Sequence, residues 1–554
     1  MDIEQWRTHV LEPLLKGQEP TADVEALGGL ALLAADTDRT QDYVFESAKL
    51  PEVRGGSWLL DDLNLNRIPT LFRDHGLAGT FVDSDPPGEI VYTGGGGLLA
   101  LVPAEGAEAL ARAIEGEYPG VTGIATITAD WRPVTPAMVI KGYPDGGFGG
   151  LVRWASNWLS RRKEGKPLAP FYEALPHSAR CQSCYTRPAH KTLFFDAPGG
   201  GRLICPVCER KRLDRSLWFD MYQKCYGVRA ERPQDLSEIG QASRGRRGYV
   251  GFIHLDGDRL GDLIFTYQHP LEYRRFSVCI ATAAEDAVME ALYHYLSPTE
   301  VTGSEARREV GQSHLVGKPV VIHPFEIITI GGDDVWLIVP GDAALPIAAA
   351  ISTAFSEKVP PRSDNGEPCT LSGGVVIADD HNPVRVLRDL AKDLAREAKR
   401  ARQETDVKTG YIDFHIFKSA DMLDRKISTL RQTYPYALPA GEKSLRLLGR
   451  PYPAGILSAL WLALQELRKY DFPASQMHQL AEALLLGRHQ SSLFYEYQRV
   501  RDKEGHFNRL DNALAVLQDT CEVDPTPWQR LCNDRYSHQT ALWDIAEMYE
   551  FVSA

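Results

Sequence analysis

Two short acidic motifs contain the residues that could most readily do chemistry. Asp256 ends an apolar run in "FIHLDGDRLG", and Asp333 and Asp334 stand at the centre of "FEIITIGGDDVWLIVP". The apolar flanks are rich in β-branched residues, which favours buried strands, and glycine with aspartate favours a tight hairpin turn in the second motif. Taken alone, the second motif is also compatible with a purely structural hairpin.

The order of elements around these motifs brings the acids together. Strand, helix, hairpin, helix and strand follow one another in the pattern of a split βαβ sheet, in which the first strand lies beside the hairpin. Carboxylates ~4 Å apart repel by about 4 kcal/mol at an effective dielectric near 20. Two Mg²⁺ or Mn²⁺ ions would offset this repulsion, since both prefer oxygen ligands. We therefore predict Asp256, Asp333 and Asp334 as metal ligands and catalytic residues of an enzyme that uses a nucleoside triphosphate.

The glycines of both motifs predict a nucleotide nearby. Gly331 and Gly332 have no Cβ atom, so a nucleotide can approach their backbone closely. Gly257, together with Asp258 of the same DGD motif, is predicted to contact the nucleotide at the end of the first strand.

An earlier part of the chain repeats this layout without all of the acids. Asp36 and Asp38 occupy the place of the first-strand acids, but the hairpin tip is Gly94-Gly95-Gly96-Gly97 and has no carboxylate. We predict that this unit does not catalyse and that Gly94 and Gly95 can lie against a nucleotide. A purely structural domain is the alternative.

Four cysteines form a second strong signal. Cys181-x-x-Cys184 and Cys205-x-x-Cys208 are separated by 20 residues, a spacing typical of a tetrahedral zinc site. With four protein ligands no position is open for water, so this Zn²⁺ is expected to be structural. His177 or His190 in place of a cysteine is a less favoured ligand set.

The fold class expected from these patterns is α+β with two ferredoxin-like (split βαβ) domains. Helices are expected on one face of each sheet, and the last part of the chain is expected to be all-α because its apolar residues recur at helical spacing. The expected domains are a helical lead at 1–27, ferredoxin-like domains at 28–175 and 246–428, a zinc-binding insert with a linker at 176–245, and a helical domain at 429–554.

Composition agrees with an ordinary globular protein. The 554 residues are 44% hydrophobic and 24% charged, with a net charge of −13, so the whole molecule is not a general polycation for nucleic acid. Local basic clusters at Arg244, Arg246 and Arg247 and at 161–166 remain candidate RNA or phosphate contacts. No apolar run is long enough for a membrane span and no signal peptide is evident, so a cytoplasmic location without membrane contact is expected.

These motifs resemble the large palm-domain subunit of type III CRISPR effector complexes. "DTDRTQDYVFESAKLPEVRGGSWLLDDL" resembles the start of the first palm of that family, and "LDGDRLGDL", "GGDD" and "LSGGVVIA" resemble its second palm. A four-cysteine segment between two palms is also the arrangement of the family. The resemblance implies that residues 28–175 form a degenerate palm/cyclase domain and that residues 246–428 form the catalytic palm/cyclase domain.

The resemblance also implies an activity and partners. Active members convert ATP to cyclic oligoadenylates when guide RNA in the complex pairs with target RNA, so ATP is the implied substrate and Ser372 is a candidate contact to adenine. A small helical subunit and a guide-end-capping subunit are the implied protein partners. Many members begin with a metal-dependent HD nuclease domain. Here about 27 residues precede the first palm and the sequence has no His-Asp dipeptide, so DNase activity is not expected.

Two other functions compete with this interpretation. A diguanylate cyclase would carry GG(D/E)EF, whereas Val335 follows Asp334 here, and a zinc insert and a doubled palm are not expected of that class. A catalytically silent scaffold subunit of the same kind of complex is the second alternative.

Overall fold

The protein is described by a computed structural model that covers residues 2–553 except 144–145, 167–176, 195–199, 214, 363–364, 418–425, 433, 441–442, 517–526 and 531–535. The predicted domain boundary at 175 lies outside the described residues. The chain begins with α1 (Ile3–Trp6) and α2 (Glu12–Leu15), joined by a π-helical stretch at Arg7–Leu11. Trp6 and Leu14 of this segment are buried in one cluster with Leu32 of the first sheet.

The first sheet has four antiparallel strands. They are β1 (Ala31–Asp38), β2 (Ile90–Gly94), β3 (Gly97–Val102) and β4 (Thr126–Pro133), in the order β2-β3-β1-β4. The helices of this part are α3 (Thr40–Val44), α4 (Leu50–Asp62), α5 (Ile68–Asp74), α6 (Ala107–Thr122), α7 (Pro136–Lys141) and α8 (Gly147–Gly165), with a π-helical stretch at Leu63–Arg67. Ala31 to Ala35 of the central strand are all buried, because helices cover both faces of β1.

The cysteine segment is small and loop-rich. It contains the hairpin β5 (Lys191–Phe194) and β6 (Gly201–Ile204) and is followed by three helices, α9 (Pro206–Lys211), α10 (Leu217–Tyr226) and α11 (Leu236–Gln241). The four cysteines belong to the same buried cluster as the apolar residues of α4 and α6. This segment is therefore packed against the first sheet's helices.

The second sheet has six strands. They are β7 (Tyr249–Gly257), β10 (Glu326–Gly331), β11 (Asp334–Pro340), β12 (Leu371–Asp379), β13 (Tyr411–Ile416) and β16 (Tyr452–Pro453), in the order β10-β11-β7-β12-β13-β16. Its helices are α12 (Leu260–Ile264), α13 (Pro270–Tyr295), α15 (Ala344–Lys358) and α16 (Val384–Glu404). Between α13 and β10 lies an insert with β8 (Thr299–Thr302), α14 (Ala306–Glu309), a 3₁₀ turn at Ser313–Leu315 and β9 (Pro319–Ile322).

Helices cover both faces of this sheet, which corrects the expectation of helices on one face. Ile253 and Leu255 of β7 share a buried cluster with α13 and α15, whereas Phe252 faces a cluster that contains α16. The parallel pairing of β12 with β13 requires a crossover, and α16 provides it. Its apolar residues recur three or four positions apart, as in Leu387, Leu390 and Leu394, so one stripe packs on the sheet.

The two sheets repeat one topology. The order β2-β3-β1-β4 in the first sheet corresponds to β10-β11-β7-β12 in the second. An arginine close to the end of each first strand adopts a left-handed backbone: φ is 52° at Arg39, directly after β1, and 56° at Arg259, two residues after β7. The first domain packs on the α16 side of the second sheet, where the ring of Phe45 lies 5.5 Å from that of Trp336.

The C-terminal region is helical, as predicted, but it is not all-α. Its helices are α17 (Ile427–Leu430), α18 (Ala454–Lys469), α19 (Ala474–Ala483), α20 (Arg488–Arg501), α21 (His506–Ala515) and α22 (Leu542–Tyr549), with a 3₁₀ turn at Leu484–Leu486. A four-stranded sheet accompanies them, with β14 (Ala437–Ala440), β15 (Lys443–Arg446), β17 (Gln529–Arg530) and β18 (Tyr536–Gln539) in the order β14-β15-β18-β17. These strands of two to four residues are too short to show a clear alternating pattern in the sequence. Among the described residues, no helix combines the length and apolar character needed to cross a bilayer.

Candidate active site

The two acidic motifs meet at one edge of the second sheet. β7 pairs with β11 so that Leu255 lies opposite Val335, and one further step along this register sets Asp256 opposite Asp334. Both side chains then point to the face that carries His254 and Trp336, because side chains alternate along a strand. Asp333 stands in the turn between β10 and β11, where Gly332 has φ of 72°.

Asp256 lies beside a lysine from α16. The Nζ atom of Lys399 donates to a carboxylate oxygen of Asp256 and also to the main-chain oxygen of Gly257, at 2.8 Å. The Asp256 side chain is 39% exposed, so this ion pair is accessible to solvent. A cation thus already neutralises the acid at the end of β7.

Asp333 lies directly over Gly257. A Cβ atom placed at position 257 would lie 2.9 Å from the Cγ of Asp333 and would contact its Oδ2 even more closely, so a side chain there would displace the carboxylate. Burial, followed by the nearby charge of Asp256, raises the pKa of Asp333 to about 6. Gly257 was predicted to let a nucleotide approach its backbone, but in the structure the carboxylate of Asp333 packs against Gly257.

Asp334 is held by a histidine. Its Oδ1 lies 3.0 Å from Nε2 of His254, and its Oδ2 accepts a hydrogen bond from Gln41 of the first domain at 3.5 Å. The His254 ring stacks on Trp336 with the ring centroids 3.8 Å apart. The imidazole therefore has a fixed position, and it orients the carboxylate.

The three acids are neighbours, but they do not form a closed cluster. Within the described part of the chain, the His, Cys, Asp and Glu groups whose ligand atoms all lie within 4.8 Å of one another are the four cysteines and Asp379-Asp380-His381. Asp256, Asp333 and Asp334 are not such a group. Without cations, mutual repulsion keeps carboxylates apart, and here Lys399 and His254 each hold one of them.

Asp258 and Ser372 have a structural role, which corrects the prediction that they contact the nucleotide. Asp258 is 4% exposed and accepts hydrogen bonds of 2.7 Å from both Thr370 and Ser372. Ser372 is fully buried, and its Oγ also accepts from the backbone N–H of Tyr411 at 3.0 Å. Both side chains are thus satisfied inside the protein and cannot reach a ligand there.

The hairpin tips of the two domains touch each other. The main-chain oxygen of Gly331 would lie 3.2 Å from a Cβ atom added to Gly95, whose φ is +55°. A side chain at Gly95 is therefore both crowded and strained. Two cavities flank this contact: one of about 410 Å³ with Asp333, Gly332 and Gly94 in its lining, and one of about 380 Å³ with Asp334 in its lining.

The acids of the first domain are neutralised from within. Lys163 of α8 donates to Asp36 at 2.6 Å, while Asp38 accepts from both Thr126 and Thr128 at 2.9 Å. Asp38 and its two hydroxyl partners occupy the positions of Asp258 with Thr370 and Ser372 in the second domain. Lys163 thus neutralises Asp36 at the end of β1, in a domain whose hairpin has no carboxylate.

The predicted basic clusters are largely engaged within the chain. Arg246 pairs with Glu550 at 2.6 Å, and Lys166 pairs with Glu115 at 3.1 Å, in addition to the contact of Lys163 with Asp36. Their contact with RNA stays a prediction.

The four cysteines are arranged as a zinc site requires. All four are buried, their sulfur atoms lie within 4.8 Å of one another, and the Sγ atoms of Cys184 and Cys205 are 3.9 Å apart. A tetrahedron with Zn–S bonds near 2.3 Å places its sulfurs ~3.8 Å apart. His190 contacts Glu209 at 2.9 Å and the main-chain oxygen of Ile204 at 3.0 Å, so it is engaged outside the cage.

Three basic side chains of this site were not anticipated from the sequence. Lys399 and His254 contact two of the acids, and Lys392 lines the cavity beside Asp334. Burial lowers the pKa of the Lys392 ammonium group. The available signal was the spacing of Lys392 and Lys399, seven residues apart and therefore on one face of α16.

Part of the chain is similar in sequence to a known family. Residues 249–407 match the family model of the Cas10/Cmr2 second palm domain. This part of the chain is therefore similar to the second palm of that family. The predicted resemblance to the palm-domain large subunit of type III complexes is thereby confirmed on its second palm, the domain that carries GGDD. No curated protein matches the sequence of the chain.

Solved structures share the fold over nearly the whole chain. The Csm1–Csm4 cassette in complex with cA4 matches with a TM-score of 0.54 at 13% identity, covering 97% of this chain and 72% of that chain. The cassette with cA3 gives 0.53 at 12% identity, covering 98% and 72%. The cassette with AMPPNP gives 0.51 at 12% identity, covering 95% and 70%. The overall fold of this chain is therefore shared with these structures.

Proposed function

We propose that this chain is a subunit of an RNA-guided type III CRISPR interference complex and that it polymerises ATP into cyclic oligoadenylates when target RNA binds. One observation carries the proposal: in a Cas10/Cmr2 second palm, the GGDD turn places Asp333 directly over the end of β7, beside Asp256. The structures of similar fold contain cA4, cA3 or AMPPNP, which supports ATP as the substrate.

The donor atoms at this edge suit Mg²⁺ or Mn²⁺. Asp256, Asp333 and Asp334 offer carboxylate oxygens, which are the ligands that both cations prefer, and we propose that these three residues hold two ions. Such ions, when bound, activate a 3′-hydroxyl and stabilise the leaving pyrophosphate. The raised pKa of Asp333 follows from crowded negative charge in a partly buried place, which a cation relieves.

The neighbouring side chains have roles that follow from their contacts. Lys399 neutralises Asp256 in the absence of other cations, and its ammonium group is free to contact a triphosphate once Asp256 has another partner. His254 keeps Asp334 oriented toward the end of β7. Lys392 adds a second positive charge on the same face of α16, beside the cavity next to Asp334.

The first palm is proposed to bind a nucleotide without catalysing. Its hairpin tip has no carboxylate, and the carboxylate of Asp36 is already paired with the ammonium group of Lys163. Gly95 nevertheless lines both cavities beside the touching hairpins, so the first palm contributes to the walls around the substrate. Gly94 lines the larger interface cavity with the second palm's turn.

Partner subunits are proposed on the same grounds. The structures of similar fold are cassettes of Csm1 with Csm4, which supports a guide-end-capping partner of that kind. Leu493, Tyr497 and Val500 of α20 are 72%, 54% and 83% exposed and lie on one helical face, which supports docking of a small helical subunit. The guide RNA and target RNA are the proposed nucleic-acid partners.

The test uses the assembled complex with ATP, Mg²⁺ and target RNA, with products identified by mass spectrometry. We expect cyclic oligoadenylates from the wild type. The double variant Asp333→Ala with Asp334→Ala should form none and should still assemble. The control is Glu404→Ala with Asp406→Ala, which removes two exposed carboxylates at the end of α16. Product from GTP alone would favour a cyclase of the diguanylate type, and no product under any condition would favour a scaffold.

A further inference from the structure

An acid that the proposed catalysis does not use faces the contact between the two palms. Asp61 is a partly buried residue near the end of α4. It lines both cavities beside the hairpin tips, together with Gly95 and Gly331. Among the residues that the structure describes, no side chain or main-chain group forms a hydrogen bond or ion pair with its carboxyl group.

The larger cavity has the character of a site for a nucleobase. Its volume is about 410 Å³, and its lining includes apolar side chains such as Ile264, Phe276 and Ile280. The lining also includes glycines of both turns and Asp333. Ligand sites of this kind are mainly apolar with a few polar groups that fix orientation. Asp61 is such a polar group, and its own hydrogen-bonding capacity is unused.

We propose that Asp61 selects the purine by hydrogen bonding to the Watson–Crick edge of a base bound in this cavity. The inference rests on the proposed function, because it names the residue that chooses between ATP and GTP at the palm interface. Because Asp333, a proposed cation ligand, is in the same lining, the triphosphate would lie at the β-turn and the base would extend toward α4.

The chemistry of the two purines explains how one carboxyl group can discriminate. A neutral carboxyl accepts from the N6 amino group of adenine and donates to N1, whereas an ionised carboxylate accepts from N1–H and the N2 amino group of guanine. Burial raises the pKa of Asp61 to about 7, so the neutral form is populated near neutral pH. The other titratable groups of the cavity lining are Tyr92, Tyr273, Arg274, Glu285 and Asp333, and the second cavity adds Arg39, Asp42, Asp334 and Lys392.

The experiment measures binding of non-hydrolysable ATP and GTP analogues to the full chain with Mg²⁺, together with product formation by the complex. We expect Asp61→Ala to weaken binding of the ATP analogue by about 10-fold and to reduce the preference for ATP, since the bonds to the base are lost. Asp61→Asn presents one acceptor and one donor, as the neutral acid does, so it should bind the ATP analogue within about twofold of wild type. The control is Asp62→Asn, the next residue of α4, which pairs with Arg67 at 3.1 Å.

The outcomes separate this inference from the proposed function. Wild-type cyclic product together with an Asp61→Ala variant that binds both analogues like wild type would overturn the inference and leave the function standing. Equal binding of both analogues by the wild type would overturn it as well. Selective, Asp61-dependent binding of the ATP analogue without any product would support the inference and reject the catalytic function. Thermal midpoints of both variants that are no lower than that of the wild type would exclude misfolding as the cause.

Discussion

A single methyl group at Gly257 is expected to disable the catalytic palm without unfolding it. In Gly257→Ala the new Cβ would lie 2.9 Å from the Cγ of Asp333 and 2.7 Å from a methyl carbon of Leu260. Carbon atoms in contact prefer separations of ~3.5–4.0 Å, so the carboxylate must move by roughly 1 Å. A displacement of about 1 Å at a reacting centre can cost ~100-fold in rate. We therefore expect cyclic oligoadenylate synthesis to fall about 100-fold.

The assay is the initial rate of product formation by the assembled complex at saturating ATP and Mg²⁺. Gly116→Ala on the exposed face of α6 is the matched control, because nothing lies within 4 Å of its added methyl group. That variant should synthesise at the wild-type rate. A Gly257→Ala enzyme with wild-type activity would show that Asp333 does not act from its place over Gly257, and it would refute the reasoning on which the proposed site depends.

Three further changes test other parts of the structure. Cys181→Ser should release zinc, measured by atomic emission, while Cys225→Ser, at an exposed cysteine, should retain it. Arg54→Met leaves Glu326 buried without its partner at 2.6 Å and should cost ~3–5 kcal/mol of unfolding free energy in a denaturant titration, whereas adding Glu326→Met should recover most of it. Burial raises the pKa of Asp61 from 3.8 to about 7, so its ionisation destabilises the fold progressively between these pH values. The full pKa shift corresponds to ~4 kcal/mol of lost unfolding free energy, and partial solvent contact of the carboxylate reduces this loss. We therefore expect the unfolding free energy of Asp61→Asn to exceed that of the wild type by ~2 kcal/mol at pH 8 and by about zero at pH 4.

The sequence was sufficient to predict the second sheet and the approach of its acidic ends. The β-branched flanks of Gly331 to Asp334 could only be buried strands with a turn between them, and the alternation of strand and helix fixed which strand lies beside the hairpin. The cysteine spacing predicted the cage in the same way, because each CxxC pair is a local feature. Such patterns predict structure well because each depends on residues that are close together in the sequence.

The roles of individual polar side chains could not be predicted in the same way. Asp258 and Ser372 are in motifs that suggest a ligand, yet they bond to each other across β7 and β12. Lys399 comes from a helix 143 residues further along the chain than Asp256, so only the folded structure shows their contact. Tertiary contacts between distant segments decide which acids are free, and a single sequence does not contain that information directly.

Comparison of the two similar domains separates acids that support the fold from acids that are proposed to bind metal. Asp38 ends β1 and Asp258 directly follows β7, and each accepts from two hydroxyl groups at the neighbouring strand, although the first domain has no acids in its hairpin. An arrangement that persists without the metal ligands supports the fold and not the reaction. Asp333 and Asp334, by contrast, have no carboxylate counterpart at Gly94 to Gly97. The proposed chemistry therefore depends on the carboxylates of the second hairpin, because the first domain has the same topology without them.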